Sequence, residues 1–258
     1  MGMKLTIMGS GTSTGVPVIG CKCKVCQSAD PRDHRYRVSA MLQTDGGAHI
    51  LIDCSPDFRE QMLQNHFDKL DAILITHEHY DHVGGLDDVR PFSFANEMNV
   101  YTQHNFAVNL KSRIPYCFVD KDKRYPGVPL LNLCDVEPHK PFDVADVSVM
   151  PFTVMHGKMP ILGFRINDLA FITDMKTIAD EDLQYVLGAK TLVVNVLRMQ
   201  REHHSHQLLP EALAFVEKVK PEKAVFIHMT HEVGLHANVN DGLPANCEFA
   251  YDGMTIEC

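Results

Sequence analysis

A chain of 258 residues with 45% hydrophobic and 22% charged content is ordinary for a soluble globular protein, and its length fits a single large domain spanning residues 1–258. A net charge of −9 argues mildly against a protein whose main work is gripping long nucleic acid, and no apolar run approaches the roughly eighteen residues of a membrane span. The eight cysteines, with no basic-then-apolar leader ahead of them, predict reduced thiols in the cytoplasm rather than a secreted disulfide framework.

In chain order, the first apolar run of strand length is Leu5 to Met8. Val38 to Thr44 alternates and reaches the next run, His49 to Ile52, through Asp45-Gly46-Gly47, a strong hairpin signal. Asp57 to Asn65 reads as a helix entered through Ser55-Pro56, and Ala72 to Ile75 reads as a buried strand. The stretch from His104 to Lys140 is different. It carries Pro115, Pro126, Pro129 and Pro138 among Lys111, Arg113, Lys121, Lys123 and Arg124, which predicts a variable insertion or lid. Further strands are predicted at Val147–Met155, Leu169–Thr173, Leu192–Val196 and Ala224–Ile227, with a helix over Leu209–Val219 that stops before Pro221. There is no internal repeat and no Ser/Gly linker. The alternation of strands and helices predicts an α/β layered architecture.

The run His77-Glu78-His79-Tyr80-Asp81-His82 packs four metal-ligating side chains into six residues, where a buried strand runs out into Gly84-Gly85. Imidazole and carboxylate suit zinc, manganese and iron. Grouped on one turn they would repel one another or lie unsatisfied unless a cation collected them. Five apolar runs end at, or one residue before, a His or Asp: Asp53, His77, His156, Asp174 and His228. Sheets of this kind place their binding groups at the carboxyl ends of strands, so a shared edge would bring the five together. Separately, Cys21, Cys23 and Cys26 form a C-x-C-x-x-C cluster in a loop over residues 20–35, which in a reduced compartment favours metal over disulfide.

On these residues the sequence resembles the metallo-β-lactamase superfamily, whose signature H-x-H-x-D-H is matched by His77, His79, Asp81 and His82. The resemblance covers essentially the whole chain and implies an αββα four-layer sandwich. It further implies a dinuclear site for zinc or manganese, with iron as another candidate. His77, His79 and His156 would hold one ion, and Asp81, His82 and His228 the other, with Asp174 bridging and Asp53 supporting the ligand loop. The diiron flavoproteins of the superfamily carry a Glu where this chain has His79, so hydrolysis is favoured over redox chemistry.

A narrower resemblance rests on Gly9-Ser10-Gly11-Thr12-Ser13-Thr14-Gly15-Val16-Pro17 followed by the cysteine cluster. These look like the phosphoribosyl cyclic-phosphate phosphodiesterase branch, a relative of the tRNA 3′-processing ribonucleases. That branch implies one structural zinc held by Cys21, Cys23, Cys26 and His231, and it suggests a homodimer. Alignment of the helix over 209–219 points to His206 as the general acid or phosphate ligand, with His204 as the alternative. The expected activity is a metal-dependent phosphodiesterase that attacks a small, compact phosphodiester, such as a cyclic ribose phosphate, with metal-activated hydroxide. The alternatives are a tRNA 3′-end type nuclease, for which only the short Lys111–Arg124 region offers basic contacts, and a thioester or lactone hydrolase of the same superfamily. A metal-binding or redox-sensing module is a minor option.

Overall fold

A computed structural model describes residues 2–94, 96–119 and 123–258, so Lys121 of the basic run lies outside the described residues. The chain first lays down β1 (Lys4–Gly9), β2 (Ser39–Gln43), β3 (His49–Ile52), β4 (Ala72–Leu74), β5 (Met98–Thr102) and β6 (Leu131–Asp135). It then builds β7 (Phe142–Val144), β8 (Val147–His156), β9 (Met159–Ile166), β10 (Leu169–Phe171), β11 (Thr191–Asn195), β12 (Lys223–Ile227) and β13 (Cys247–Phe249), and returns with β14 (Met254–Glu257). Two mixed seven-stranded sheets result, in the orders β14-β1-β2-β3-β4-β5-β6 and β13-β12-β11-β10-β9-β8-β7. Helices flank both, giving the expected α/β sandwich. No helix among the described residues is long and apolar enough to cross a membrane.

The two-residue period of the strands explains how four layers form. Leu5 and Ile7, Ala40 and Leu42, Ile50 and Ile52, and Ala72 and Leu74 all face the core between the sheets. Their neighbours Met8, Met41, Leu51 and Ile73 point the other way, against α1 (Phe58–Gln64) and the residues around Leu86 and Leu110. On the second sheet Phe215, Val216 and Val219 of α6 (Leu209–Val219) join the main core. The predicted hairpin forms with Gly47 at φ 83°, and Thr44 and Gly46 are pinned by Asp146 of the other sheet.

The eight-residue strand β9 is absent from the apolar runs read in the sequence, because Pro160, Gly163 and Arg165 interrupt its pattern. Gly163 is required by its partner across the ladder. It pairs with Phe152, and a Cβ there would stand 2.4 Å from the phenyl ring. The 104–140 stretch contains regular elements. Its first ten residues form α4 (His104–Arg113), which buries Phe106, Ala107 and Leu110, and its end supplies β6, hydrogen-bonded to β5. Apolar side chains at helical spacing outweigh the prolines, which fall outside both elements.

One buried cation ties the N-terminal loop to the rest. Arg35 is 2% exposed and donates to the Thr230 and Gly234 carbonyls, each at 2.8 Å, with Asp33 Oδ1 at 3.6 Å. The cysteine loop is thereby held against the segment that carries His228 and His231.

Candidate metal centre

β3, β4 and β5 run parallel in the first sheet, and β10, β11 and β12 in the second, where β8 shares the direction of β10 through two antiparallel pairings. Their carboxyl ends meet along one edge, where a His or Asp stands at or within three residues of the ends of β3, β4, β8, β10 and β12. Backbone geometry exposes those donors. Asp53, Asp174 and His228 sit at φ 60°, 55° and 58°, left-handed conformations that turn each side chain out of its strand direction. His79, Asp81 and His82 come from the turn entering α2 (Tyr80–Val83), whose first residue follows His79.

Two donor sets result. His77, His79, His156 and Asp174 bring one ligand atom each within 4.8 Å of one another, and so do Asp81, His82, Asp174 and His228. Asp174 belongs to both. Its Oδ2 lies 3.7 Å from His77 Nε2 and 3.5 Å from His82 Nε2, and its Oδ1 lies 3.1 Å from His228 Nε2. Asp81 Oδ2 stands 3.3 Å from His82 Nε2 and 3.5 Å from His228 Nε2. Bonds of about 2.1 Å to a common ion would set neighbouring ligands about 3.0–3.4 Å apart, so these spacings suit shared cations.

For His82, His77 and His156 a hydrogen bond on the far side of the ring decides which nitrogen is free. His82 Nδ1 lies 2.7 Å from Asp53 Oδ2, so it carries the proton and leaves Nε2 bare. The same Asp53 accepts from the Thr76 amide at 2.8 Å and from the Thr76 hydroxyl, which in turn lies 3.0 Å from His77 Nδ1. His156 Nδ1 donates to the carbonyls of Asp174 and Ser205, at 2.9 and 3.0 Å. Two of the inward-facing nitrogens have no hydrogen-bond partner. His82 Nε2 and His228 Nε2 are buried and make no hydrogen bond, and His77 Nε2 meets His79 Nδ1 at 3.0 Å. Bare lone pairs gathered in this way fit a pair of divalent cations.

Charge coupling follows the same geometry. Burial works against the Asp174 anion, yet His228 and His82 hold it well below the usual carboxylate range. Burial likewise opposes the His82 cation, and Asp174, Asp53 and Asp81 outweigh it, raising that ring well above the ordinary value, so without an ion Nε2 holds a proton that a bound cation would displace. His77 is pushed far down, by burial first and by His82 next. His79 is exposed, which leaves that side of the cluster open to an incoming molecule.

The second candidate set is separate. Sγ of Cys21, Cys23 and Cys26 lie 3.3, 3.4 and 3.2 Å from His231 Nδ1. Three sulfurs and one imidazole nitrogen suit a closed tetrahedral zinc. The Cys26 amide points at Cys23 Sγ and lowers that thiol to about 6, while burial raises Cys26 to about 11.

His206 is buried at the edge of the first centre, its Nε2 3.2 Å from Asp174 Oδ2 and burial lowering its ring to about 4. His204 is not brought there. It is exposed, with its ring stacked on His203 at 4.6 Å, because the segment turns Ser205, His206 and Gln207 inward and His204 out. In the basic stretch, Arg113 donates to the Glu78 carbonyl and lies 3.7 Å from Glu78 Oε2, so it braces the ligand turn. Arg124 donates to the Val119 carbonyl. Thr76, Arg35 and Asn195 were not singled out in the sequence. Asn195 holds the backbone of Met175 by both its amide atoms at 2.7 and 3.1 Å, and a lone polar residue at the end of the apolar β11 run was its signal.

A family model described as beta-lactamase superfamily domain matches residues 48–229. A crystal structure titled as a new diphosphatase from the PhnP family is 37% identical, with a TM-score of 0.92 over 100% of this chain and 98% of its own. The Zn(2+)-bound PqqB from Methylobacterium extorquens shares the fold at a TM-score of 0.79 and 20% identity, over 99% and 100% of the two chains. A Porphyromonas gingivalis protein named octanoyltransferase is 46% identical over 98% of this chain and 51% of its own length. The chain thus spans about half the length of that relative.

Proposed function

Because this chain belongs to the beta-lactamase superfamily, and within it to the PhnP family, we propose that it is a metal-dependent phosphodiesterase acting on a small, compact phosphodiester. Zinc, manganese or iron ions held by His77, His79, His156 and Asp174, and by Asp81, His82, Asp174 and His228, would supply an activated water and neutralise charge on a phosphoryl oxygen. Cys21, Cys23, Cys26 and His231 would hold a structural zinc.

The observation that carries this reading is the place of His206. Its Nε2 stands 3.2 Å from Asp174, which is common to both donor sets, yet it belongs to neither set. An imidazole beside the reacting centre and not committed to an ion is placed to give a proton to a departing oxygen. An alkoxide is a poor leaving group that needs that proton, whereas a thiolate leaves readily without one. The pocket therefore favours phosphodiesters over thioesters. Cys54 beside Asp53 is fully buried and its thiol is pushed up by burial, so it offers no accessible nucleophile for acyl transfer. The octanoyltransferase name belongs to a protein about twice as long and does not assign that activity to this half.

The PhnP-family diphosphatase supports a second reading, cleavage of a diphosphate linkage. The two share a phosphorus carrying two substituents and differ in the leaving group. A metal-loaded preparation should be offered a cyclic ribose phosphate, bis(p-nitrophenyl) phosphate, a dinucleoside diphosphate, a thioester and a lactam. The ribose phosphate should be turned over, and His206→Ala should slow it about 10²-fold or more while slowing the p-nitrophenyl ester far less. Preferential thioester or lactam cleavage, or equal losses on both esters, would overturn the proposal. Preference for the diphosphate would select the second reading.

A further inference from the structure

We propose that Arg198 is a positioning residue: its guanidinium is the internal brace that holds the loop over residues 198–206 against the His and Asp donor sets. The effect on turnover rests on the phosphodiesterase reading above; the brace itself does not.

Between the end of β11 at Asn195 and the start of α6 at Leu209 the chain has no regular element. The loop is closed at its base, where the Leu197 amide donates to the Gln207 carbonyl at 3.0 Å and the Leu209 amide to the Arg198 carbonyl at 3.2 Å. Among the described residues, no backbone–backbone hydrogen bond begins or ends within residues 199–206. Arg198 supplies what the main chain lacks there. Its side chain is only 11% exposed, and its Nε donates to the Arg201 carbonyl at 2.8 Å and its Nη2 to the Glu202 carbonyl at 3.0 Å. The chain bends at Arg201, which stands at φ 67°. The third nitrogen, Nη1, reaches Glu232 Oε2 at 3.1 Å, in the turn that follows β12 and carries His228 and His231. Thr230 of that turn donates to the Leu197 carbonyl from both its amide and its hydroxyl, each at 2.9 Å.

The braced loop makes two contacts with the centre. The Ser205 carbonyl lies 3.0 Å from His156 Nδ1, and His206 Nε2 lies 3.2 Å from Asp174 Oδ2. Arg201 also pairs with Glu232, at 2.7 Å, but its side chain is 69% exposed and such a pair contributes little. Arg198 differs because it is largely buried and directs three charge-assisted hydrogen bonds from one planar group. A lysine would carry the same charge to one acceptor and leave the others unheld. The brace therefore depends on guanidinium shape and not on charge alone.

Arg198→Ala and Arg198→Lys should both speed amide hydrogen exchange across residues 199–207 by about 10-fold or more, with β11 and β12 unchanged. On a cyclic ribose phosphate, kcat of both zinc-loaded variants should fall about 10- to 100-fold with KM within a few-fold, since a misplacement near 1 Å has effects of that order. Millimolar guanidinium should recover about 5-fold or more of the lost kcat in Arg198→Ala, and methylammonium should recover none. Parent-like exchange or kcat in Arg198→Ala, a lysine variant as active as the parent, no gain from guanidinium, or an equal gain from methylammonium would each overturn the inference. Should neither Arg198 variant fold, Glu232→Gln decides, because it severs one contact of the brace on an exposed side chain: faster exchange in residues 199–207 supports the brace, and parent-like exchange refutes it. A parent enzyme that leaves phosphodiesters intact sinks the proposed function instead, and the exchange measurement still decides Arg198.

Discussion

Asp53→Asn tests the hydrogen-bond logic of the centre without changing side-chain volume. The carboxylate serves Thr76 on one side and His82 Nδ1, at 2.7 Å, on the other. An amide keeps a single oxygen. If that oxygen stays with the Thr76 amide, the new NH₂ faces His82 Nδ1, and two donors meet in a site that is fully buried. His82 escapes only by moving its proton to Nε2, the atom proposed to bind metal. The lost charge-assisted hydrogen bond is worth about 1.5–3 kcal/mol. At roughly 2–4 °C per kcal/mol for a chain of this size, the metal-free protein should melt about 3–12 °C lower. Metal affinity should drop about 10- to 100-fold, as is usual when the partner of a ligating histidine is removed. Calorimetry in the presence of chelator reads the first quantity, and competition with a chromophoric chelator reads the second. Parent-like affinity in a folded Asp53→Asn protein would refute the tautomer assignment for His82 and the ligand role built on it.

Cys26→Ser should reduce bound zinc by one equivalent per chain and make residues 20–35 more susceptible to protease; an unchanged zinc count by elemental analysis would remove the proposed thiolate site. His206 binds its proton more weakly folded, at about 4, than at the ordinary 6.5, so its contribution to stability is complete above about pH 6.5 and is lost as pH falls toward 4. Urea unfolding of metal-free protein should accordingly show a shallower acid-side loss in His206→Gln, and an identical pH slope would count against that burial. Gly163→Ala should cost about 1–3 kcal/mol through overlap with the Phe152 ring, and Phe152→Leu in the same chain should recover part of it. Strict additivity of the two substitutions in thermal melts would contradict the contact.

The strands that carry the centre could be read in the sequence because each is a short apolar run with a charged or imidazole side chain at its end. Asp53, His77, His156, Asp174 and His228 all stand just where β3, β4, β8, β10 and β12 stop. What stayed hidden depends on partners distant in the chain. β9 loses its pattern at Gly163, and only the ring of Phe152 across the ladder explains that glycine. Arg35 reads as an ordinary loop cation, and its burial depends on two carbonyls near residue 230. The short helix α2 has no periodicity of its own, since its turn is set by the spacing of the donors. His204 and His206 could not be separated by composition, because the twist of one loop decides which of them faces inward.

Asp53, Asp174 and His228 stand on left-handed backbone that glycine alone adopts freely, at a price of about 1 kcal/mol each. Glycine there would relax the main chain and erase the donor. Improvement of this scaffold by directed evolution thus meets a built-in conflict: selection for heat resistance alone should drift toward inactive sequences at these three positions, whereas selection on turnover should hold them fixed.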